Sequence, residues 1–492
     1  MNDTARRRVL AAAFFVAGAW FVWQQEPADR PVTMDNQIYF YIADRAAAGV
    51  PPHVSLVDHK QQLSSLLQAA AIAAAAPFGI DSVYAMRAAS LLFAALAVMG
   101  VFVLAAELAG TSAGILAGFV TFTYTDFFTQ AAVGGRPQLF METFVVWALV
   151  AFARRRDASA GALSLCAYLC WQPALLALAA VGLASLAGPD RWRRAARVTA
   201  GAVVAAVVYE SYFLWHGVLG EQLYQTWILP ADVGTYSSKP LAESLRFVLR
   251  MGLWRNDSQF VFPLVFLAAM VFVFGRAVVR GRGTLADVAA SPTWSALWLL
   301  SLTATAFTLA SHQAYPDMFV LHPLVAVVFG TVAARVVAWI AAQPRPRIEA
   351  AVLAGVAVVI ALFAQTRTTI FRQGRVTLDT QRRLAAQVDL MEDAYGPVWA
   401  IGCPHLLALL GKDNHTRYGL LIDPKVRNYM TAGAGPEGYR PSEADGGMPG
   451  VILTARGGER HVLPWLRVEY DYVHNKSFRE QGIHVYVRRS AK

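Results

Sequence analysis

The chain has 492 residues, a net charge of +10 and a mean hydropathy of +0.41, with 56% hydrophobic and 15% charged residues. Soluble domains carry roughly a quarter charged residues, so this deficit excludes an ordinary soluble protein and indicates a membrane protein. A basic surplus in such a protein is typical of cytoplasmic loops, so no nucleic-acid partner is expected. Cys166, Cys170 and Cys403 have neither the pattern of a disulfide framework nor the spacing of a zinc site.

The N-terminal segment predicts a first membrane span. Three arginines at positions 6–8 precede an apolar run over residues 9–23. The Ala17-Gly18-Ala19 tripeptide loosely matches a signal-peptide cleavage site, but the apolar run continues to Trp23, which favours an uncleaved span. Because basic residues stay on the cytoplasmic side, the N-terminus is expected in the cytoplasm.

Residues 24–83 are then a long loop on the outer face of the membrane. Two helices are expected in this loop, at about 37–48 and 59–76. The second is apolar enough to lie at the membrane interface rather than cross it. The outer loops are longer than the inner ones, which are brief and basic, so the working surface faces away from the cytoplasm.

The segment 160–187 decides the number of spans. Trp171-Gln172-Pro173 interrupts it, and proline removes a backbone donor from a helix. Arginines flank the segment on both sides, so it should go out and come back as two short helices. About eleven spans then fit the loop charges and leave the C-terminus outside. They are expected at 9–23, 84–108, 112–126, 138–153, 160–171, 173–187, 198–215, 259–279, 294–310, 318–340 and 348–365.

The composition changes after residue 365, which divides the chain into a transmembrane domain (1–365) and a soluble α/β domain (366–492) on the outer side. An amphipathic helix is expected over 366–395. Glycine- and proline-rich turns separate the runs of β-branched residues that follow. These runs predict strands at 398–402, 451–455, 466–473 and 482–488.

Asp35, Asn36 and Tyr39 belong to a polar cluster that follows the first span directly. Asp35 has two interpretations. It is placed to cap the helix that follows, since an aspartate can accept a backbone N–H there. It is also a carboxylate at the membrane surface, suited to act as a general base on an acceptor hydroxyl or amine.

Lys60 is the second candidate in the outer loop. It is the only lysine before Lys239. An ammonium group just outside the membrane suits a phosphate oxyanion, but a lysine at the start of an interface helix also snorkels without any ligand. Asp58 and His59 would orient Lys60, cap the helix or contact the substrate.

A third group begins in the predicted loop 127–137. Arg136 lies there, and Glu142 follows about one turn into the next apolar span. A carboxylate inside an apolar helix marks a functional or a paired site. Arg136 is its nearest partner in the sequence, so a structural Arg136–Glu142 pair and a role in the substrate site both stay open. Arg87, at the start of the second span, could clamp a phosphate or anchor the helix end.

Taken together, this pattern resembles the C-type (GT-C) superfamily of integral-membrane glycosyltransferases. It is most similar to the branch that contains protein O-mannosyltransferases and the lipid A aminoarabinose transferase. The likeness covers residues 1–160 well and the later spans in general architecture. The runs that carry it are Asp35-Asn36-Gln37-Ile38-Tyr39, Asp58-His59-Lys60-Gln61-Gln62-Leu63, Met86-Arg87-Ala88-Ala89 and Arg136-Pro137.

The resemblance implies a polyprenyl-phosphate-linked sugar donor in the bilayer and a glycan, lipid or protein acceptor at the outer face. It places Asp35 where these enzymes keep a catalytic acid and Lys60 where the aminoarabinose transferases keep a phosphate-binding lysine. No cofactor is assigned, and a divalent metal is an open alternative. The residues expected to bind substrate are Asn36, Tyr39, Asp58, His59, Lys60, Arg136 and Glu142.

The implied reaction is a single inverting displacement. Asp35 would deprotonate the acceptor, while Lys60, with Arg136 or another outer arginine, would neutralise the departing phosphate. Many relatives have two adjacent acids where this chain has Asp35-Asn36, and a proline pair where it has Gln61-Gln62. Three rivals remain: a transporter or flippase of lipid-linked sugars, a polysaccharide polymerase or ligase, and a non-catalytic relative.

Overall fold

Helices make up most of the computed structural model, and a small sheet lies near the C-terminus. The predicted spans 259–279 and 348–365, and residues 312–317, lie outside the described residues. The structure describes residues 3–33, 35–187, 190–232, 240–250, 291–311, 318–341, 376–419, 440–441, 446–455 and 463–489.

Helices lie at every predicted span that falls within the described residues. Among those residues, two helices are long and apolar enough to cross a bilayer by length and composition, and six apolar helices are shorter. The count of eleven spans therefore stays a prediction. The helices up to residue 341 are α1 Asp3–Trp23, α2 Asn36–Ala47, α3 Leu63–Ala75, α4 Ser82–Ala109, α5 Thr111–Thr121, α6 Thr125–Val133, α7 Pro137–Ala153, α8 Asp157–Cys170, α9 Leu175–Ser185, α10 Arg191–Trp215, α11 Leu219–Leu223, α12 Leu229–Asp232, α13 Leu241–Leu249, α14 Pro292–Ser311 and α15 His322–Ala341.

The predicted break in the segment 160–187 is confirmed. A 3₁₀ turn at Gln172–Ala174 separates α8 from α9, with Pro173 inside it. Helix α8 also packs closely on α10 through glycines. A Cβ on Gly161 would lie 1.9 Å from the carbonyl oxygen of Val198, so only glycine permits this approach of the two helices.

The structure corrects three of the predicted boundaries. The helix expected from residue 59 begins at Leu63, because residues 58–62 form a turn bonded to other elements. The predicted loop 127–137 is largely the buried helix α6, since its aromatic and small residues pack into the core. The strand expected over 466–473 starts only at Tyr470. Residues Leu463–Glu469 form a helix whose first turn contains Pro464, a position that proline favours.

Beyond residue 375, a four-stranded sheet forms with the order β1-β2-β4-β3. The first pair is parallel and the other two are antiparallel. Strands lie at or within the four predicted runs. The C-terminal elements are α16 Leu378–Tyr395, β1 Val398–Ile401, α17 His405–Ala408, β2 Val451–Ala455, α18 Leu463–Glu469, β3 Tyr470–Val473, α19 Lys476–Glu480 and β4 Ile483–Arg488.

The sheet shares a hydrophobic core with the segment that carries the candidate residues, between α1 and α4. Tyr41 of α2 and Leu56 of the following turn are buried in the same cluster as Trp399 of β1 and Leu406 of α17. Polar contacts join the same parts, because the Tyr41 hydroxyl accepts a 2.8 Å hydrogen bond from the Asn414 backbone. The loop that carries the candidate residues is therefore held against the sheet. The domain boundary at residue 365 stays a prediction.

Candidate active site

Asp35 and Arg136 form an ion pair at the centre of the candidate site. Arg136 Nη1 donates to Asp35 Oδ2 over 3.0 Å. The Arg136 side chain is 7% exposed, whereas that of Asp35 is 42% exposed. Asp35 occupies the position before α2 but makes no capping hydrogen bond through its side chain. The capping interpretation is therefore wrong, and the carboxylate faces the arginine instead.

Two consecutive glycines bring Arg136 to this position. Gly134 and Gly135 both have positive φ angles, +85° and +89°, which glycine adopts without strain. Gly135 also lies against the backbone of α2, where an added Cβ would approach the carbonyl oxygen of Asn36 to 3.3 Å. The Gly134-Gly135 turn can therefore pack closely against α2, which places the side chain of Arg136 next to Asp35.

Tyr39 lies one turn into α2, and its side chain contacts that of Lys60. Lys60 Nζ donates to the Tyr39 hydroxyl over 2.9 Å and lies 5.4 Å from the centre of the tyrosine ring. The charges of Asp35, Asp58 and Arg136 all act on the buried Tyr39 phenol. Tyr39 is thus the residue around which the predicted base, the lysine and the arginine converge.

The electrostatics of this cluster favour a charged lysine beside a neutral phenol. Burial raises the pKa of Tyr39 above its ordinary value, although Lys60 opposes the shift. Burial also works against the charge on Lys60. Its contact with Tyr39 and the carboxylates of Asp58 and Asp35 outweigh that effect and raise the pKa of Lys60. The ammonium group therefore stays protonated and can attract a phosphate.

Asp58 and His59 hold the turn before α3. Asp58 Oδ1 accepts from the Lys60 backbone N–H over 3.3 Å, and its Oδ2 accepts from Gln62 Nε2 over 2.8 Å. The His59 ring nitrogen Nδ1 is 3.8 Å from Asp58 Oδ1, and Gln172 donates to the His59 carbonyl. Both residues are buried, and Asp58 bonds the backbone of Lys60, so this arrangement fits a role in orienting Lys60.

Asn36, which follows Asp35 in the chain at the position where the resemblance leads one to expect a second acid, is buried. Its Nδ2 donates to Gln130 Oε1 of α6 over 3.2 Å. Its Oδ1 has no hydrogen-bond partner among the described residues. One acceptor atom is therefore present at Asn36, and its contribution to substrate binding stays a prediction.

Glu142 lies near His322 and not near Arg136, so the structural Arg136–Glu142 pair, one of the two interpretations left open, is wrong. Its carboxylate is fully buried in α7, and Oε2 is 3.8 Å from His322 Nδ1 of α15. The His322 ring stacks on Tyr124 at 4.1 Å. Arg136 instead turns to Asp35 because the Gly134-Gly135 turn directs it toward α2. A role for Glu142 in substrate binding is not tested by this geometry.

Arg87 anchors a helix end, the second of the two roles considered for it. It donates to the backbone carbonyls of Pro27, Arg30 and Val133. For a metal, no group of three or more histidine, cysteine or acidic side chains gathers within the part of the chain that the structure describes. The acceptor oxygens of Asp58 are already engaged by Lys60 and Gln62.

Four side chains that form hydrogen bonds to residues 58–62, the turn that carries Lys60, were not predicted from the sequence. They are buried: Tyr209 belongs to α10, Gln222 and Gln225 to the segment after it, and His53 to the stretch between α2 and α3. A signal was present in the sequence: Gln222 and Gln225, between the predicted spans 198–215 and 259–279, are spaced to share one face of a helix. The missed residues are His53, Tyr209, Gln222 and Gln225.

Comparison with solved structures finds the same fold in membrane transferases. ArnT from Cupriavidus metallidurans in the apo state, a lipid A aminoarabinose transferase, aligns with a TM-score of 0.61 at 15% identity, over 96% of this chain and 97% of that chain. The same protein bound to undecaprenyl phosphate aligns with a TM-score of 0.58 at 16% identity, over 98% of both chains.

The oligosaccharyltransferase of Archaeoglobus fulgidus also matches. Its apo form aligns with a TM-score of 0.55 at 12% identity, over 98% of this chain and 75% of that chain. Its complex with an inhibitory peptide and a dolichol-phosphate gives 0.53 at 12% identity, over 98% and 74%. No protein-family profile and no curated protein matches the chain. The GT-C resemblance seen in the sequence is thus confirmed as a likeness of fold.

Proposed function

We propose that this chain, which has the GT-C fold, transfers a sugar from a polyprenyl-phosphate donor to a glycan, lipid or protein acceptor at the outer membrane face. One observation carries the proposal. Lys60 donates to the Tyr39 hydroxyl, and the charge of the partly exposed carboxylate of Asp35 acts on the same phenol, so a candidate base and a candidate phosphate-binding group share one site. The solved structures of this fold that hold undecaprenyl phosphate and dolichol-phosphate support the choice of donor.

In the proposed reaction, Asp35 takes the proton from the acceptor hydroxyl or amine as that group attacks the anomeric carbon. The bond between this carbon and the phosphate oxygen breaks, and its electron pair leaves with the lipid phosphate. Attack opposite the leaving group inverts the anomeric centre. Lys60 stabilises the negative charge that develops on the phosphate, and Arg136 orients Asp35.

The proposed orientation follows the charge distribution of the loops. The N-terminus lies in the cytoplasm, and the site and the C-terminal sheet lie outside. Helix α3, whose apolar residues are partly exposed, would border the groove for the polyprenyl tail. A divalent metal requirement is a separate part of the proposal, and assays with and without a chelator decide it.

The test is a transfer assay with membranes and radiolabelled polyprenyl-phosphate sugars. Label should leave the lipid for an acceptor with the native chain, and the rate with Asp35→Asn should fall by about 10²- to 10⁴-fold. Asparagine keeps an oxygen that accepts from Arg136, so the variant should fold. Asp29→Asn, a change in the same outer loop, serves as the control. Transfer by Asp35→Asn at the native rate refutes the assignment, and uptake of label without transfer favours a transporter.

A further inference from the structure

Gln225 links His53 to Asp58, the first residue of the turn (58–62) that carries Lys60. Its Oε1 accepts from the Asp58 backbone N–H over 3.0 Å, and its Nε2 donates to the His53 carbonyl over 2.9 Å. The same Oε1 lies 3.1 Å from His53 Nδ1. Gln225 and His53 are fully buried and Asp58 is nearly so. One amide side chain therefore holds residues 53 and 58 together, and Asp58 lies two positions before the lysine.

The backbone around Gln225 is unusual. Residues Tyr224–Ile228 form a π-helical turn between α11 and α12. A π turn inserts an extra residue into a helix and changes the direction of the side chains that follow, and such turns are frequent at functional sites. Here it accompanies a glutamine that is completely engaged in hydrogen bonds.

The position of Gln225 is itself fixed from the C-terminal part of the chain. Gln225 Nε2 also donates to Glu221 Oε1 over 2.7 Å, and Arg417 Nη1 donates to the same oxygen over 2.9 Å. The Arg417 carbonyl accepts from the Val57 backbone over 2.9 Å. Arg417 thus holds the turn both directly and through Glu221.

A second set of bonds secures the other side of the turn. The Tyr209 hydroxyl of α10 accepts from the Gln62 backbone and donates to Gln61 Oε1, each over 3.0 Å. Gln222 Nε2 donates to the same Gln61 oxygen over 3.2 Å. The glutamine pair that departs from the GT-C pattern is therefore part of the support, and Gln225 is the member that acts on Asp58.

We infer that Gln225 is a positioning residue for Lys60, which holds the Asp58 turn so that the ammonium group faces the donor phosphate. The inference rests on the proposed function for its substrate. Its physical basis is that Asp58 fixes the Lys60 backbone and adds negative charge beside the ammonium, while Gln225 fixes Asp58.

The experiment is a double-mutant cycle read as affinity for undecaprenyl phosphate, with the full-length chain in detergent. Gln225→Leu should weaken binding about tenfold when Lys60 is present, which is the scale of one charge-assisted hydrogen bond. It should change binding less than about twofold in the Lys60→Ala background. Gln387→Leu, which removes an acceptor for Asn475 in the C-terminal part, should leave binding unchanged.

Equal weakening in both backgrounds would show that Gln225 does not act through Lys60, and unchanged binding of Gln225→Leu would overturn the inference as well. Thermal unfolding of each variant separates a local change from failure to fold. A further measurement is the affinity of the double variant Glu221→Gln/Gln225→Glu, which exchanges the two side chains, for undecaprenyl phosphate. The exchanged pair can still accept from Asp58 and Arg417, so it should bind more tightly than Gln225→Glu alone.

A native chain that does not bind the lipid, with Lys60→Ala no different, contradicts the proposed function and leaves the inference to a second measurement. That measurement is the rate at which an amine reagent modifies Lys60, followed by mass spectrometry of the peptide. Release of the turn should speed modification of Lys60 about tenfold in Gln225→Leu. An unchanged rate would refute the positioning role whatever the lipid result.

Discussion

Arg136 Nη1 lies 3.0 Å from Asp35 Oδ2, although 101 positions of the sequence separate the two residues. The pair is asymmetric, since the guanidinium is buried and the carboxylate is partly exposed. The carboxylate can therefore meet an acceptor while a buried cation fixes its orientation. This arrangement explains how a single acid can be held in place at the position where many GT-C enzymes have two.

The asymmetry of this pair predicts unequal effects on stability. Asp35→Leu leaves a buried guanidinium without its carboxylate, so the free energy of unfolding should fall by about 2–3 kcal/mol. Arg136→Met leaves a carboxylate that water still reaches, and should cost about 0.5–1 kcal/mol. Unfolding in detergent measures both. The Arg154–Glu107 pair is the matched control: its side chains are 42% and 36% exposed, so Arg154→Met and Glu107→Leu should show equally small losses.

Lys60 and Tyr39 should contribute unequally to transfer. Lys60→Ala removes the charge that faces the phosphate, and kcat/KM should fall by about 10- to 100-fold. Tyr39→Phe removes one acceptor but leaves the ammonium charged, so the loss should be only a few-fold. Tyr395→Phe, a change at an exposed tyrosine, is the control. Equal losses for Lys60→Ala and Tyr39→Phe would contradict the role given to the lysine charge.

The burial of His53 should make the stability of the chain depend on pH. Burial lowers the pKa of His53 more than the neighbouring Asp58 and Glu221 raise it, so the folded chain resists its protonation. The unfolded chain takes up this proton near its ordinary pKa of about 6.5, and stability is lost as the pH falls below that value.

The measurement is the thermal midpoint in detergent at about pH 7.5 and pH 5.5, which bracket the ordinary pKa. His53→Asn should be less stable than the native chain at the higher pH but should lose less on acidification. His474→Asn, at an exposed position, should follow the native pH dependence. A fall in midpoint as large in His53→Asn as in the native chain would contradict the assignment.

The sequence predicted the helices and the candidate base and lysine, because apolar periodicity and isolated polar residues are local signals. It did not predict which side chains meet. For Arg136 the sequence left a pair with Glu142 and a role in the substrate site both open, whereas the positive φ angles at Gly134 and Gly135 turn its side chain toward Asp35. The spacing of Gln222 and Gln225 indicates a shared helix face, but the contact of Gln225 with Asp58 spans 167 positions and that spacing does not specify it.

The turn before Arg136 gives the last prediction, a comparison between two glycines. Gly135 and Gly110 have nearly equal φ angles, +89° and +90°, which side chains with a Cβ rarely adopt, so alanine at either position should cost about 1–3 kcal/mol of backbone strain. Only at Gly135 does the new Cβ meet another element, 3.3 Å from the Asn36 carbonyl; at Gly110 nothing lies within 4 Å. Gly135→Ala should therefore also shift Arg136 away from Asp35 and lower the transfer rate by about tenfold, which corresponds to an activation barrier about 1.4 kcal/mol higher. Gly110→Ala should lower the thermal midpoint to a similar extent and leave the transfer rate of the folded protein unchanged. Equal transfer rates in the two variants would mean that the Gly135 turn does not set the geometry of the ion pair.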